Sequence, residues 1–180
     1  GFSRQLAREI HKTTKEYLPD MNPMLIYRLD RFSRGGHHKP FNDLGFAGVR
    51  IMEAHENYNR QHQDIRTENG IKYGDVLEGV NFKYAEKLTE VNAINLASLA
   101  WAPLAPEEVA IGGVVEPSAK LKWKKSKNSN IKGYKIYWRD TTSPTWDYSR
   151  YVGDVSEVNL EGIVIDNYYF GVVAVGKNGF

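Results

Sequence analysis

No cysteine occurs among the 180 residues. This absence excludes disulfide bonds, thiolate-bound zinc and iron–sulfur clusters, so any metal site must be built from histidine, carboxylate and water. No apolar run approaches the roughly 20 residues that a membrane-spanning helix requires, and the start at Gly1-Phe2-Ser3 is not typical of a signal peptide. The 24 basic and 22 acidic residues are well mixed, and the net charge of +2 includes no block of one sign. We therefore expect no nucleic-acid partner and no membrane partner.

Histidine is concentrated in two polar segments. Four of the five histidines lie in residues 31–41 and 55–64, which are otherwise rich in Arg, Gly and Asn. Such loops are typical of one side of an active site. Elsewhere the chain offers no histidines and carboxylates at metal-ligand spacing, and no two of the histidines match a His-x-x-x-His helical site. We interpret the chain as part of an enzyme joined to an accessory module.

Three helices are predicted in the first hundred residues. Residues 3–18 have apolar spacing typical of a surface helix, with Ser3 as the predicted N-cap. Residues 40–44 are expected to form a short helical turn closed by Gly45. Residues 81–100 have apolar side chains at three- and four-residue intervals, and the prolines that follow predict the end of that helix.

Two strands are predicted between these helices. Residues 24–29 form a nearly continuous apolar run, which is typical of a strand buried on both faces of a mostly parallel sheet. Residues 47–52 alternate as a second strand. Strand, loop, short helix and strand together predict an α/β domain over residues 1–104.

The pattern changes after this point to short alternating strands separated by turns rich in Ser, Asn and Pro. The strands are predicted at residues 119–124, 133–139, 148–152, 156–160 and 168–175. Such a series predicts a small all-β, immunoglobulin-like sandwich over residues 105–180.

Three sequence features of this second domain are more specific than alternation alone. They are Leu121-Lys122-Trp123, the strand Tyr134-Lys135-Ile136-Tyr137-Trp138, and Tyr168-x-Phe170-x-Val172-x-Ala174 followed by Asn178-Gly179. With these features the domain resembles a fibronectin type III domain. The resemblance implies that Trp123 fills the space between two sheets. A domain of this family has a final strand after the position of Gly179. Because the sequence stops at Phe180, the sandwich is predicted to be truncated.

The first domain has its own set of motifs. They are Arg31-x-x-Arg34-Gly35-Gly36-x-His38-x-Pro40-Phe41, Gly45-x-Ala47-x-Val49-Arg50, Glu56-Asn57-Tyr58 with Gln61-His62-Gln63-Asp64, and the long final helix. With these motifs, residues 3–101 resemble the C-terminal part of the co-catalytic two-zinc aminopeptidases, the family that includes the bacterial leucine aminopeptidase-like peptidases. The resemblance implies a mixed sheet flanked by helices, and two zinc ions that activate a water for attack on the peptide carbonyl. It also implies a peptide substrate and an extracytoplasmic location, either secreted or periplasmic.

Carried over by position, His62 matches the last zinc-ligating histidine of that family. Asp64 or Glu56 is expected to orient its ring, as carboxylates often do for metal-bound histidine. The other ligands and the general-base glutamate of the family lie upstream of the matched region. The resemblance therefore implies at most one zinc ligand in this chain, and a chain that is inactive by itself.

The resemblance also implies a substrate pocket bordered by Gly36, His37 and His38. The family usually has an acidic residue at the position of His37, so the electrostatics of the pocket are expected to differ here. Tyr58 is a candidate hydrogen-bond donor to the oxyanion of the reaction.

Two other functions are open from the sequence alone. The chain would be a non-catalytic two-domain binding protein if its first domain has lost catalysis. A histidine-using nuclease is suggested by Arg31, Arg34 and the histidine pair, but the near-neutral charge disfavours it.

Contacts with other molecules are expected from both domains. The aromatic residues of the sandwich suggest a contact surface for protein or carbohydrate; they include Trp138, Trp146, Tyr148 and Tyr151. An α/β piece of two strands and two helices leaves sheet edges uncovered, so self-association of this domain is a further expectation.

Overall fold

The computed structural model describes residues 1–28, 33–177 and 179. The chain forms two compact units, Gly1–Ala97 and Ser98–Phe180. No helix among the described residues is both long and apolar enough to cross a membrane.

The first unit is built mainly from helices. Its elements are α1 (Phe2–Tyr17), α2 (His38–Asp43), the short strands β1 (Arg66–Glu68) and β2 (Ile71–Tyr73), a 3-10 turn at Leu77–Gly79, and most of α3 (Phe82–Trp101). The three predicted helices are therefore confirmed within two residues at each end. Gly45 follows α2 with a φ of +86°, the left-handed conformation that ends a helix and that glycine adopts without strain.

Ser3 has a different role from the predicted one. Helix α1 begins at Phe2, one residue before it, and Gly1 occupies the N-cap position. The Ser3 hydroxyl donates a hydrogen bond to Asn42 Oδ1 (2.9 Å) and accepts one from the Gly48 backbone N–H (3.2 Å). The N-cap prediction is wrong because this hydroxyl connects α1 to the segment around α2 instead.

A buried polar pair connects α1 to α3. Asn95 Nδ2 donates to Thr14 Oγ1 (3.1 Å) and to the backbone carbonyl of Val91 (2.7 Å). All three residues are buried, and Thr14 is fully so. A buried amide costs free energy unless it is hydrogen-bonded, so this pair favours one particular alignment of the two helices.

The two strands predicted in the first unit are not formed. The described residues of 24–29 and the whole of 47–52 have no strand pairing, and Met24 and Ile26 expose more than half of their surface. A strand is defined by backbone hydrogen bonds to a neighbouring strand, and among the described residues neither segment forms such bonds. The two strand predictions are wrong for this chain. The α/β fold class stays a prediction about the longer protein that the resemblance implies.

The strands of the first unit instead form one hairpin. Strands β1 and β2 pair antiparallel, and the two-residue turn is Asn69-Gly70, both with positive φ. This is the sequence and conformation typical of a type I′ turn, whose twist matches that of the paired strands. The Arg66 guanidinium lies 4.0 Å from the centre of the Tyr73 ring across the hairpin.

The second unit consists of two three-stranded antiparallel sheets, with strand orders β3-β4-β7 and β6-β5-β8. The strands are β3 (Glu107–Gly112), β4 (Ser118–Lys124), β5 (Ile131–Asp140), β6 (Tyr148–Gly153), β7 (Glu157–Glu161) and β8 (Tyr168–Gly176). The five predicted strands are confirmed. Strand β3 was not predicted, because nearly all of its residues are exposed and it begins with two glutamates.

One hydrophobic core joins the two sheets. It contains residues of β4, β5, β7 and β8, among them Leu121, Trp123, Tyr134, Ile136 and Leu160. The Trp123 and Tyr134 rings lie 5.4 Å apart, from opposite sheets. The predicted role of Trp123 is confirmed, and the all-β sandwich is established by the strand pairing itself. Asn178 of the last motif and the final residue, 180, lie outside the described residues.

Candidate functional site

Two of the sequence motifs are in direct contact in the first unit. Arg34 Nη1 donates to Gln61 Oε1 (2.6 Å), and Gln61 Nε2 donates to Glu56 Oε1 (2.8 Å). The Arg34 guanidinium also lies 5.6 Å from the centre of the Tyr58 ring. Hydrogen bonds to charged groups are stronger than those between neutral groups, so the amide of Gln61 is held firmly between cation and anion.

The loop that carries these residues is tied to the hairpin. The Arg60 N–H donates to the Asn57 carbonyl (3.0 Å), and the Gly74 N–H donates to the Asn59 carbonyl (2.9 Å). Arg60 Nη1 reaches the Gly74 carbonyl at 3.5 Å. The backbone from 57 to 60 is therefore fixed at the base of β2, which supports the residue that follows Gln61.

That residue is His62, the predicted zinc ligand. Its side chain is exposed, and its φ is +53°. A left-handed backbone is uncommon for a residue other than glycine, and such conformations are found preferentially at functional sites. The backbone conformation here thus sets the direction in which the imidazole leaves the loop.

The three predicted pocket residues lie together at the start of α2. His37 is the exposed N-cap and His38 is the half-buried first residue of the helix. A Cβ added at Gly36 would lie 2.9 Å from His38 Nδ1 and 3.3 Å from Arg50 Cδ. The absence of a side chain at Gly36 therefore allows the His38 ring to pack against the backbone.

The two predicted orienting carboxylates have different surroundings. Glu56 is partly buried and accepts the hydrogen bond from Gln61, the neighbour of His62. Asp64 is exposed, and its backbone carbonyl accepts a 3.4 Å hydrogen bond from Arg66. Of the two, Glu56 is thus the one joined to the His62 loop by a side-chain contact.

Whether zinc fits this site depends on the side chains that are available as ligands. A zinc site in a protein requires three or four ligands, and no group of three or more His, Cys, Asp or Glu able to hold a metal occurs among the residues the structure describes. The described residues do not by themselves constitute a zinc site. Arg31, part of the same motif, lies outside the described residues.

Arg34 and Gln61 were not predicted as site residues. Both occur in the quoted motifs, but nothing in their spacing indicates that a glutamine amide bridges two segments that are far apart in sequence. A positively charged residue before Gly-Gly and an amide before a loop histidine are the only signals that the sequence offers.

Comparison with known proteins finds fungal relatives named probable zinc metalloprotease, several of which match over almost the whole chain. A relative from Leptosphaeria maculans is 43% identical over 177 residues, covering 98% of this chain and 41% of its own length. Relatives from Phaeosphaeria nodorum (40% identical) and Pyricularia oryzae (37% identical) each cover 99% of this chain and 36% of their own length. The chain thus spans about two fifths of the curated relatives it matches. The names of these relatives support the prediction of a zinc-dependent protease. They do not specify an aminopeptidase.

Solved structures that are similar to part of the chain include fibronectin type III domains. The FN1-FN3 domains of chicken CNTN1 are 16% identical with a TM-score of 0.38, covering 43% of this chain and 28% of that one. The FN5 domain of Drosophila Lar is 25% identical with a TM-score of 0.35, covering 43% of this chain and 83% of that one. No family model matches the chain.

Proposed function

We propose that this chain is the C-terminal part of a zinc-dependent aminopeptidase, followed by a fibronectin type III-like accessory domain. The observation that carries the proposal is the identity of about 40% to fungal proteins named probable zinc metalloprotease, over nearly every residue of the chain. The resemblance of the His62 and Gly36-x-His38 motifs to two-zinc aminopeptidases supports the finer part, the removal of N-terminal residues from peptides.

In this proposal His62 supplies one imidazole to zinc, and the remaining ligands come from sequence that this chain does not contain. Zinc would supply an activated water and a Lewis acid for the peptide carbonyl. The residues of this chain would position and line the site. Glu56, through Gln61, would hold the His62 loop, while Tyr58 would donate a hydrogen bond to the developing oxyanion.

The cationic guanidinium of Arg34 fits this arrangement. It donates to Gln61 and lies over the Tyr58 ring, so it restrains the two side chains on either side of the loop. Gly36, His37 and His38 would then border the substrate on the α2 side. With a histidine at position 37 in place of an acidic residue, this border carries less negative charge toward the substrate's ammonium group.

The test is the zinc content of the longer gene product, measured by elemental analysis after dialysis. We expect about two zinc ions per chain, as two-metal chemistry requires, and a loss of at least one in His62→Ala. The matched control is His55→Ala, which removes another exposed loop histidine seven residues earlier. Equal zinc in the parent and in both variants would show that His62 is not a ligand.

The specificity part is tested separately with two peptides of the same sequence, one with a free N-terminus and one acetylated. Cleavage of the free peptide alone supports an aminopeptidase. Cleavage of both, with zinc bound, would keep the metalloprotease and refute the aminopeptidase. A longer product with neither zinc nor hydrolysis would favour the non-catalytic binding protein.

A further inference from the structure

The outer face of the sheet β6-β5-β8 carries a mixture of aromatic rings and cations. On β5, Lys135, Tyr137 and Arg139 alternate with inward residues, and Tyr169 is the β8 partner of Arg139. Trp146, in the loop before β6, lies over the same face. We call these five residues the cation-aromatic face.

Its side chains are in contact with one another. The Trp146 ring covers Gly171, where an added Cβ would lie 3.2 Å from Cη2, and its centroid lies 6.1 Å from that of Tyr137. The Arg139 guanidinium lies 5.5 Å from the Trp146 centroid and 4.6 Å from that of Tyr169. Lys135 Nζ lies 5.0 Å from the Tyr137 centroid. These distances are typical of cation–π contacts, which favour positions of the two cations next to the rings.

The aromatic rings remain open to solvent on one side. Trp146 is 41% exposed and Tyr169 is 51% exposed. An aromatic ring over a strand glycine stabilises the sheet, and this explains the inner side of Trp146. It does not explain the outer side, which offers a flat apolar surface beside two cationic side chains.

The charge of this face is unbalanced, in contrast to the other sheet. The lysines of β4 each have a carboxylate partner: Lys120 with Glu116 at 2.8 Å, Lys122 with Glu157 at 3.3 Å, and Lys124 with Glu107 at 3.4 Å.

Within the described part of the chain, neither Lys135 nor Arg139 forms such a pair. Arg139 Nη1 donates to the carbonyl oxygens of Asp140 and Ser143, which are neutral. The nearby Asp147 carboxylate accepts hydrogen bonds from the Ser143 hydroxyl (2.8 Å) and the Asp140 N–H (3.2 Å). The positive charges of the cation-aromatic face are therefore left for an external anion.

We propose that the cation-aromatic face binds an anionic polysaccharide. Sugar rings would stack on Trp146 and Tyr169, and carboxylate or sulfate groups would pair with Lys135 and Arg139. A neutral glycan would leave both cations without partners.

A peptide fits this face less well, because peptides are recognised at free strand edges, in grooves or by clusters of arginine. A cavity of about 360 Å³ in the second unit is lined mainly by apolar residues such as Val109, Ile111 and Leu121, and of the cation-aromatic face it includes Tyr169 alone. The flat face favours a ligand that stacks.

The experiment measures binding of the 180-residue chain to polygalacturonate and to its fully methyl-esterified form, which has the same sugar without the charge. We expect binding of the acidic polymer only, weakening as salt is raised because the charges are partly exposed. Lys135→Gln and Trp146→Ala should each weaken binding by about tenfold, equivalent to about 1.4 kcal/mol. The matched control is Lys122→Gln, an exposed lysine on the outer face of the other sheet, and it should change nothing. Thermal unfolding of each variant checks that the sandwich is intact.

Several results would overturn the proposal. These are equal binding of the esterified polymer, equal weakening by Lys122→Gln, and the absence of binding to polygalacturonate and to a sulfated glycan alike. Binding of polyglutamate with the same dependence on Lys135 and Trp146 would identify an acidic peptide instead. None of these outcomes depends on the proposed peptidase activity.

Discussion

A single methyl group added at Gly133 should destabilise the second unit strongly. Gly133 lies in β5 beside the register shift against β6. A Cβ at this position would lie 2.7 Å from the carbonyl carbon of Gly153 and 2.9 Å from its oxygen, and would also contact the Tyr151 hydroxyl. A tyrosine hydroxyl can move, but the backbone of a paired strand cannot move without loss of hydrogen bonds.

The size of the effect follows from these distances. Carbon atoms are in favourable contact at about 3.5–4.0 Å, so β5 and β6 must separate locally by more than about half an ångström. Overpacking of this kind costs about 1–3 kcal/mol. For a unit of this size, about 2 kcal/mol lowers Tm by about 8–16 °C.

The assay is differential scanning calorimetry of Gly133→Ala against a matched control, Gly112→Ala. Gly112 is also a strand glycine, at the end of β3, but a Cβ there would meet nothing within 4 Å. We expect the control to melt within a few degrees of the parent or slightly higher, as Gly→Ala does at unstrained sites. Removing the hydroxyl in Gly133→Ala/Tyr151→Phe should not restore Tm. Equal Tm values for the two alanine variants would refute the reasoning.

Two further predictions concern polar contacts. Asn95→Ala should lower the free energy of unfolding by about 1–3 kcal/mol because Thr14 Oγ1 loses a buried hydrogen-bond donor. The control is Asn92→Ala, which removes an exposed amide from the same helix and should lower this free energy far less. Equal losses of stability in urea unfolding would argue against the buried pair. The pKa of the Glu107 carboxyl is lowered by its hydrogen bond to Lys124 and by the charges of neighbouring lysines. The ionised carboxylate therefore stabilises the fold at pH values above its ordinary pKa of 4.5. This stabilisation is lost as the pH falls through the lowered pKa of the folded state. Glu107→Gln should therefore make the Tm at pH 7 and the Tm at pH 3 more similar than they are in the parent chain. An unchanged difference in Tm would show that Glu107 does not stabilise the fold in this way.

The elements that could be predicted have a strong local signal in the sequence, either the apolar spacing of a helix or the alternation of a strand. Helix α3 was predicted almost to the residue because its apolar spacing and the proline that follows are local signals. Strand β3 was missed because an exposed edge strand has no alternation to detect. The apolar run at 24–29 was predicted as a strand because hydrophobicity is a local property, but a strand also requires a pairing partner, and the described residues of the run have none.

The candidate site divides in the same way. Resemblance of motifs brought out His62, Tyr58 and Glu56, and the structure places the latter two in one contact group with Arg34. The bridging role of Gln61 depends on two segments meeting in space, which sequence spacing does not encode. The zinc role of His62 stays a prediction, because no group of three or more metal-binding side chains occurs among the described residues.

The buried indole of Trp123 has an optical consequence. It is 5% exposed, and its Nε1 has no hydrogen-bond partner among the described residues. An indole without polar neighbours emits at shorter wavelength than one in water, whereas Trp101 and Trp146 are substantially exposed. The short-wavelength side of the tryptophan emission spectrum therefore reports on the environment of Trp123 between the two sheets. The core of the sandwich thus carries its own spectroscopic label, readable without any added dye.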